Sequence, residues 1–135
     1  KAPVNGVSTS NYTGGLIGWI AAENNASLTV TDCYNEAGVT GSKDCTGGLI
    51  GRMQTSANAT ATLKMSRSAG NVNGGEGYTG GLVGHLIART PSGRANVQSC
   101  TVSAGELTGN KTFTGAFTGK NENGVIENNK DELNR

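Results

Sequence analysis

A six-residue glycine-rich motif recurs at almost constant spacing along this 135-residue chain. It reads TGGLIG at 13–18 and at 46–51, TGGLVG at 79–84 and TGAFTG at 114–119. The first residues of the four copies are separated by 33, 33 and 35 residues (13 to 46, 46 to 79, 79 to 114). Such regularity indicates a fold built by stacking one supersecondary unit, because a single unit cannot bury its own apolar side.

Aligned on the motif threonines, the repeats form columns of related residues. The residue before each motif is Tyr12, Cys45, Tyr78 or Phe113, and the residue after its closing glycine is Trp19, Arg52, His85 or Lys120. The threonines themselves, Thr13, Thr46, Thr79 and Thr114, form a third column. If the repeats stack in register, each column becomes a file of side chains along the stack.

Each repeat contains three short segments bounded by Gly, Asn, Asp or Ser, which is the sequence signal of β-strands. The first is the motif, and the second lies at 27–35, 60–68 and 94–102, with a trace at 124–129. The third lies at 37–41, 70–74 and 105–109, and residues 3–6 fit the third segment of a preceding repeat. The polar stretches 19–26, 52–59 and 85–93 differ in sequence between repeats and are predicted to be loops.

The sequence therefore predicts an all-β fold, a parallel β-solenoid (β-helix) of about four coils with three short strands in each. Copies of each segment would stack about 4.8 Å apart, and the glycines would supply the positive φ or the small side chain that each turn needs. A helical repeat is excluded because clusters of Gly, Thr, Asn and Ser interrupt every helix-length window. One repeat domain, 1–135, is expected: a partial coil 1–12, repeats 13–45, 46–78 and 79–113, and a degenerate or capping repeat 114–135.

Charge and hydropathy exclude two classes of partner. The formal net charge is +1, from 11 Lys and Arg against 10 Asp and Glu, so binding to nucleic acid is not expected. No apolar run is long enough for a membrane-spanning helix, and membrane insertion is not expected. The chain opens on KAPVNG without a basic segment and an apolar run, and we interpret it as a mature or excised fragment of a longer protein.

The sequence contains no catalytic or cofactor motif: it has no G-x-S-x-G, no H-E-x-x-H and no phosphate-binding glycine loop. With a single histidine and no C-x-x-C spacing, no metal site is predicted. Cys33 and Cys100 would lie two coils apart, about 9.6 Å, which is too far for a disulfide. We therefore expect these two and Cys45 to be buried free thiols, and we expect no enzymatic activity and no cofactor.

One stretch resembles a known family. The run CYNEAGVTG at 33–41, followed by TGGLIG at 46–51, is similar to the GLUG repeat of bacterial surface proteins. The resemblance extends over the first three repeats and is weak in the fourth, where Phe117-Thr118 replaces the apolar pair. It implies a secreted or surface-anchored bacterial protein, adhesin-like or adjoining an immunoglobulin A peptidase domain, and it carries no active-site residue.

Two functions remain open from the sequence. The first is a non-catalytic structural or adhesive module, located outside the cell or on the bacterial surface, that presents its variable loops to a host glycan, a matrix or cell-surface protein, or neighbouring domains. Its candidate binding ridge is the column Trp19, Arg52, His85 and Lys120, although the same column is also compatible with a merely solvated corner. The alternative is a fragment or accessory domain of a carbohydrate-active β-helix enzyme. A third reading, ice binding, would use the threonine column as an exposed array.

Overall fold

The structure is a computed structural model that describes residues 3–6, 9–103, 105–110 and 113–133. Its described part is all-β and contains no helix. The first coil and the strand before it contain β1 (Val4–Asn5), β2 (Tyr12–Gly14), β3 (Ile17–Ala22), β4 (Ser27–Thr31), β5 (Tyr34–Asn35) and β6 (Val39–Thr40). The second coil contains β7 (Cys45–Gly47), β8 (Ile50–Thr55), β9 (Thr60–Lys64), β10 (Arg67–Ser68) and β11 (Val72–Asn73).

The third and fourth coils repeat this order. The third contains β12 (Tyr78–Gly80), β13 (Val83–Ala88), β14 (Arg94–Gln98), β15 (Thr101–Ser103) and β16 (Leu107–Thr108). The fourth contains β17 (Thr114–Gly115), β18 (Thr118–Glu122), β19 (Val125–Glu127) and β20 (Lys130–Glu132). Each strand pairs in parallel with its copies in the adjacent coils, which confirms the predicted parallel β-solenoid of about four coils.

The strands form five sheets of four strands, which we number 1 to 5 after their first strands, β1 to β5. Sheet 1, for example, is β1-β6-β11-β16 and sheet 3 is β3-β8-β13-β18. The prediction of three strands per coil was therefore wrong in number. The first two predicted segments each bend and divide, the motif into strands of sheets 2 and 3 and the second segment into strands of sheets 4 and 5.

The register agrees with the sequence columns. Thr13 pairs with Thr46, Thr46 with Thr79 and Thr79 with Thr114. Val4 pairs with Val39, so residues 3–6 do occupy the position of a third segment. The first three threonines of the file are buried, and the file faces the interior of the solenoid. An exposed threonine array for ice binding is therefore not present at this column.

The core lies mainly between sheets 3 and 4, which face each other inside every coil. Sheet 3 contributes the buried Ile50, Met53 and Leu86, while sheet 4 contributes Leu63 and Val97. The stretches 19–26, 52–59 and 85–93 are consequently only in part the loops that their polar sequence predicted. The first four residues of each stretch belong to a strand of sheet 3, and the remainder, 23–26, 56–59 and 89–93, connects that sheet to sheet 4.

Two of the turns after sheet 3 contain asparagine at positive φ. Asn24 and Asn25 have φ of 52° and 67°, and Ala57 and Asn58 have φ of 47° and 64°. Two consecutive residues at positive φ are typical of the tight type I′ turn, in which asparagine is favoured. None of the described glycines has positive φ, so only the other predicted role of glycine, its lack of a side chain, applies in this fold.

Glycine is instead required where backbones approach each other closely. A Cβ placed on Gly47 would overlap the carbonyl oxygen of Ile50, and one on Gly80 would overlap that of Val83. These glycines lie where the chain turns from sheet 2 into sheet 3. The neighbouring atoms are backbone atoms that cannot move aside without disturbing the stacked hydrogen bonds.

We predict that Gly47→Ala lowers the free energy of unfolding by about 1–3 kcal/mol, the usual cost of overpacking. Gly38→Ala in the preceding coil is the matched control, because its Cβ would meet only the carbonyl oxygen of Asn71 at 3.7 Å. Urea unfolding followed by circular dichroism measures both variants. Equal stability of the two alanine variants would contradict this account of the glycines.

Candidate functional site

Two files of side chains meet on the outer side of sheets 2 and 3. In sheet 2, Tyr12 alternates with the inward-facing Thr13, so the tyrosine faces outward. In sheet 3, Trp19 alternates with the buried Ile20 and also faces outward. The Tyr12 and Trp19 ring centroids lie 5.6 Å apart, so the outer surface is concave where the two sheets join. We call this strip the aromatic–cation surface; it consists of Tyr12, Cys45, Tyr78 and Phe113 from the sheet 2 side and Trp19, Arg52, His85 and Lys120 from sheet 3.

The four candidate ridge residues do form one file. Trp19 pairs with Arg52, Arg52 with His85 and His85 with Lys120 in the register of sheet 3. Their exposure differs, however: 52% of Trp19 is accessible but only 7% of His85. Arg52 and Lys120 are partly buried. The accessible part of the file is therefore Trp19 and the two cations, whereas His85 is covered by its neighbours.

Cation–aromatic contacts connect the two files from coil to coil. The Arg52 guanidinium lies 5.3 Å from the centroid of the Tyr12 ring, and its Nη1 donates to the Tyr12 hydroxyl at 3.0 Å. Lys120 Nζ lies 5.2 Å from the Tyr78 centroid and donates to the Tyr78 hydroxyl at 3.5 Å. In both pairs the cation belongs to the coil that follows the tyrosine. Such contacts hold the long cationic side chains in place at the surface.

His85 is enclosed by a network from three elements. Its ring lies 4.6 Å from the Tyr78 ring, and its Nε2 donates to Glu122 Oε2 at 2.8 Å. Lys120 Nζ lies 3.3 Å from the other oxygen of the same carboxylate. Burial lowers the pKa of His85 below its ordinary value of 6.5, against the opposite effect of Glu122. The hydrogen bond from His85, supported by Lys120, lowers the pKa of Glu122.

The sequence columns identified the ridge file but not its partners. Tyr12 and Tyr78 were visible as a column, and Glu122 follows Lys120 by two residues on the same face of β18. The missing information was the sharp bend after sheet 2, which brings the two columns into contact. The only sequence signal for this contact was the alternation of inward and outward residues along β2 and β3, which places residues 12 and 19 on the outer side.

The cysteines follow the predicted chemistry with one exception in burial. All three are free thiols, and Cys45 and Cys100 are buried, but Cys33 is only half-buried. Burial raises the pKa of Cys45 to about 12 and also raises that of Cys100. Cys33 and Cys100 share a file in which Ser66, rather than Met65, lies between them: the Cys33 amide donates to Ser66 Oγ at 3.1 Å.

In the part of the chain that the structure describes, no group of three or more His, Cys, Asp or Glu side chains is arranged to hold a metal ion. Among the same residues, no helix has the length and apolar character needed to span a membrane. A cavity of about 430 Å³ opens beside Leu107, Ala116 and Leu133. Thr114, which follows Phe113 of the aromatic–cation surface, also lines this cavity.

No model of a known protein family matches this chain, and neither curated proteins nor solved structures include a significant match.

We predict that His85 makes folding sensitive to mild acid. A histidine whose pKa is lower when folded than when unfolded leaves stability unchanged well above 6.5, and stability falls as the pH drops from 6.5 towards the folded pKa. Thermal unfolding should therefore show a loss of stability as the pH is lowered from neutral to below 6.5. Because His85 is the only histidine, His85→Gln should remove this loss. The same pH slope in both proteins would refute the assignment.

We further predict that one thiol of the native protein reacts readily with a maleimide. Cys33 should react first because its side chain is partly accessible, whereas Cys45 and Cys100 are buried and their raised pKa values keep them as thiols. Mass spectrometry of the labelled protein gives the site, and labelling in denaturant should reach all three cysteines. Rapid native labelling of Cys45 would contradict the burial of this side chain.

Proposed function

We propose that this chain is a non-catalytic structural and adhesive module of a secreted or surface-anchored bacterial protein. In this proposal the solenoid is a rigid rod segment that carries a partner-binding surface on its side. The observation that supports it best is the aromatic–cation surface, where Trp19 stands half exposed beside Tyr12 at 5.6 Å and next to the fixed guanidinium of Arg52. Exposed aromatic rings with adjacent cations are typical of surfaces that bind partners.

The binding surface in this proposal differs from the one that the sequence suggested. The first four residues of each polar stretch, 19–22, 52–55 and 85–88, lie in strands, so the variable residues available for recognition include the outward side chains of sheet 3 as well as the connecting loops. A rigid sheet loses little conformational entropy on binding, which favours affinity for a given contact area. The partners we propose are a host glycan, an extracellular-matrix or cell-surface protein, and neighbouring domains of a longer chain.

The localisation and the family belong to the same proposal. They rest on the similarity of residues 33–51 to the GLUG repeat, which implies an extracellular or cell-surface protein. The parallel stacking of coils is compatible with that similarity, since the glycine-rich motif lies at the bend that every coil shares.

The alternative, an accessory domain that binds polysaccharide beside a carbohydrate-active enzyme, is favoured by a separate observation. A second aromatic side chain, Tyr34, is half exposed on sheet 5 and contacts Arg67, whose guanidinium lies 5.5 Å from its ring. Two exposed rings on different faces would suit contacts with a long polymer.

A binding screen on glycan and extracellular-matrix arrays tests the proposal. We predict that Trp19→Ala lowers the affinity for a bound partner by about tenfold or more, the effect expected when an aromatic side chain at the centre of an interface is removed. Tyr34→Ala is the matched control, because the two side chains are equally exposed, at 52% and 51%. If only Tyr34→Ala lost binding, the binding surface would lie on sheet 5. If the wild type bound nothing on the arrays, the adhesive role would be refuted.

A further inference from the structure

One coil interrupts the outward file of aromatic residues in sheet 2. Positions 12, 78 and 113 carry Tyr, Tyr and Phe, but position 45 carries the much smaller cysteine. Cys45 pairs with Tyr12 on one side and with Tyr78 on the other. The two tyrosines are therefore two coils apart, about 9.6 Å, with no ring between them.

The facing file of sheet 3 does not fill this gap. Arg52, which belongs to the same coil as Cys45, is turned towards Tyr12, where its Nη1 donates to the hydroxyl. His85 is turned towards Tyr78 and Glu122. Both side chains line an open cleft of about 410 Å³, together with Cys45, Tyr78 and Phe113. This volume lies in the range of small-molecule binding sites.

The cleft combines an apolar interior with polar groups at its edge. Its lining includes Cys45, which is only 2% exposed, the aromatic residues Tyr78 and Phe113, and Arg52. Asp44 and Glu76 lie at the rim and are exposed. Arg52 Nε is buried and has no hydrogen-bond partner among the described residues, so the guanidinium retains capacity to donate.

These groups distinguish between classes of ligand. Two carboxylates against one guanidinium give the lining a formal charge of −1, which disfavours an anion. A purely apolar ligand would leave the Arg52 and carboxylate groups desolvated without partners. A pyranose ring meets both requirements, because its C–H face packs against an aromatic ring while its hydroxyls donate to carboxylates and accept from a guanidinium.

We propose that the cleft over Cys45 binds a neutral pyranose unit of a glycan, with the ring against Tyr78 and the hydroxyls bonded to Arg52, Asp44 and Glu76. This inference rests on the proposed adhesive function, to which it adds a ligand class and a site. Residue 45 then determines specificity: a repeat with an aromatic residue at this position has no cleft, and a repeat with a small residue has one.

Saturation-transfer NMR of the whole chain tests this with methyl glycosides of glucose, galactose, mannose and N-acetylglucosamine, beside glucuronate and glucosamine. We expect transfer to at least one neutral glycoside and little to glucuronate. Cys45→Tyr should weaken binding by about tenfold or more by filling the cleft. Cys45→Ala keeps the cleft open and should bind like the wild type.

The two variants also control for folding. Tyrosine already occupies positions 12 and 78 of the same file, so the substitution restores the usual side chain of the repeat. Equal binding by Cys45→Tyr and wild type, preferential binding of glucuronate or glucosamine, or no transfer to any probe would each overturn the inference. Retained array binding by Cys45→Tyr together with a silent NMR panel would refute the cleft but leave the adhesive function intact.

Discussion

The close approach of backbones at the bend between sheets 2 and 3 is the constraint on which the rest of this structure depends. At Gly47 and Gly80 a side chain would occupy the space of the carbonyl oxygen three residues later. The bend has to be this tight for the two sheets to meet at a concave angle. That angle places Tyr12 against Trp19 and Tyr78 against His85, and thus creates the surface that we propose to be functional.

Much of the fold could be predicted because residues that are one repeat apart in the sequence become paired neighbours when the coils stack. Once the threonine column was aligned, the pairs Val39–Val72 and Trp19–Arg52 followed without further information. The division into five sheets could not be read in the same way. The bends between sheets 4 and 5 are made by residues such as Asp32 and Met65 at positive φ. These residue types do not mark a bend within a segment whose sequence is otherwise typical of a strand.

The polar sequence after the motif was misleading for a physical reason. Gln54 and Thr55 are both buried on sheet 3, although Arg67 and Asn73 in strands of the same coil are exposed. A polar residue can therefore lie buried within a strand of this stack, so polarity does not identify a loop. The sequence correctly predicted that Trp19 and His85 lie in one file of side chains. It could not predict that Trp19 is half exposed and His85 buried.

A stacked surface allows a binding site to change without a change in the core. The outward side chains of sheets 2 and 3 contact their neighbours in the same file and in the facing file. The hydrogen bonds between coils use backbone atoms, and the apolar interior is formed by the inward side chains of the same strands. Replacing one aromatic residue by Cys45 therefore opens a cleft and leaves Thr46 and Leu49 beneath it fully packed. Recognition can thus vary coil by coil on one rigid frame, which is the property that a modular adhesive rod requires.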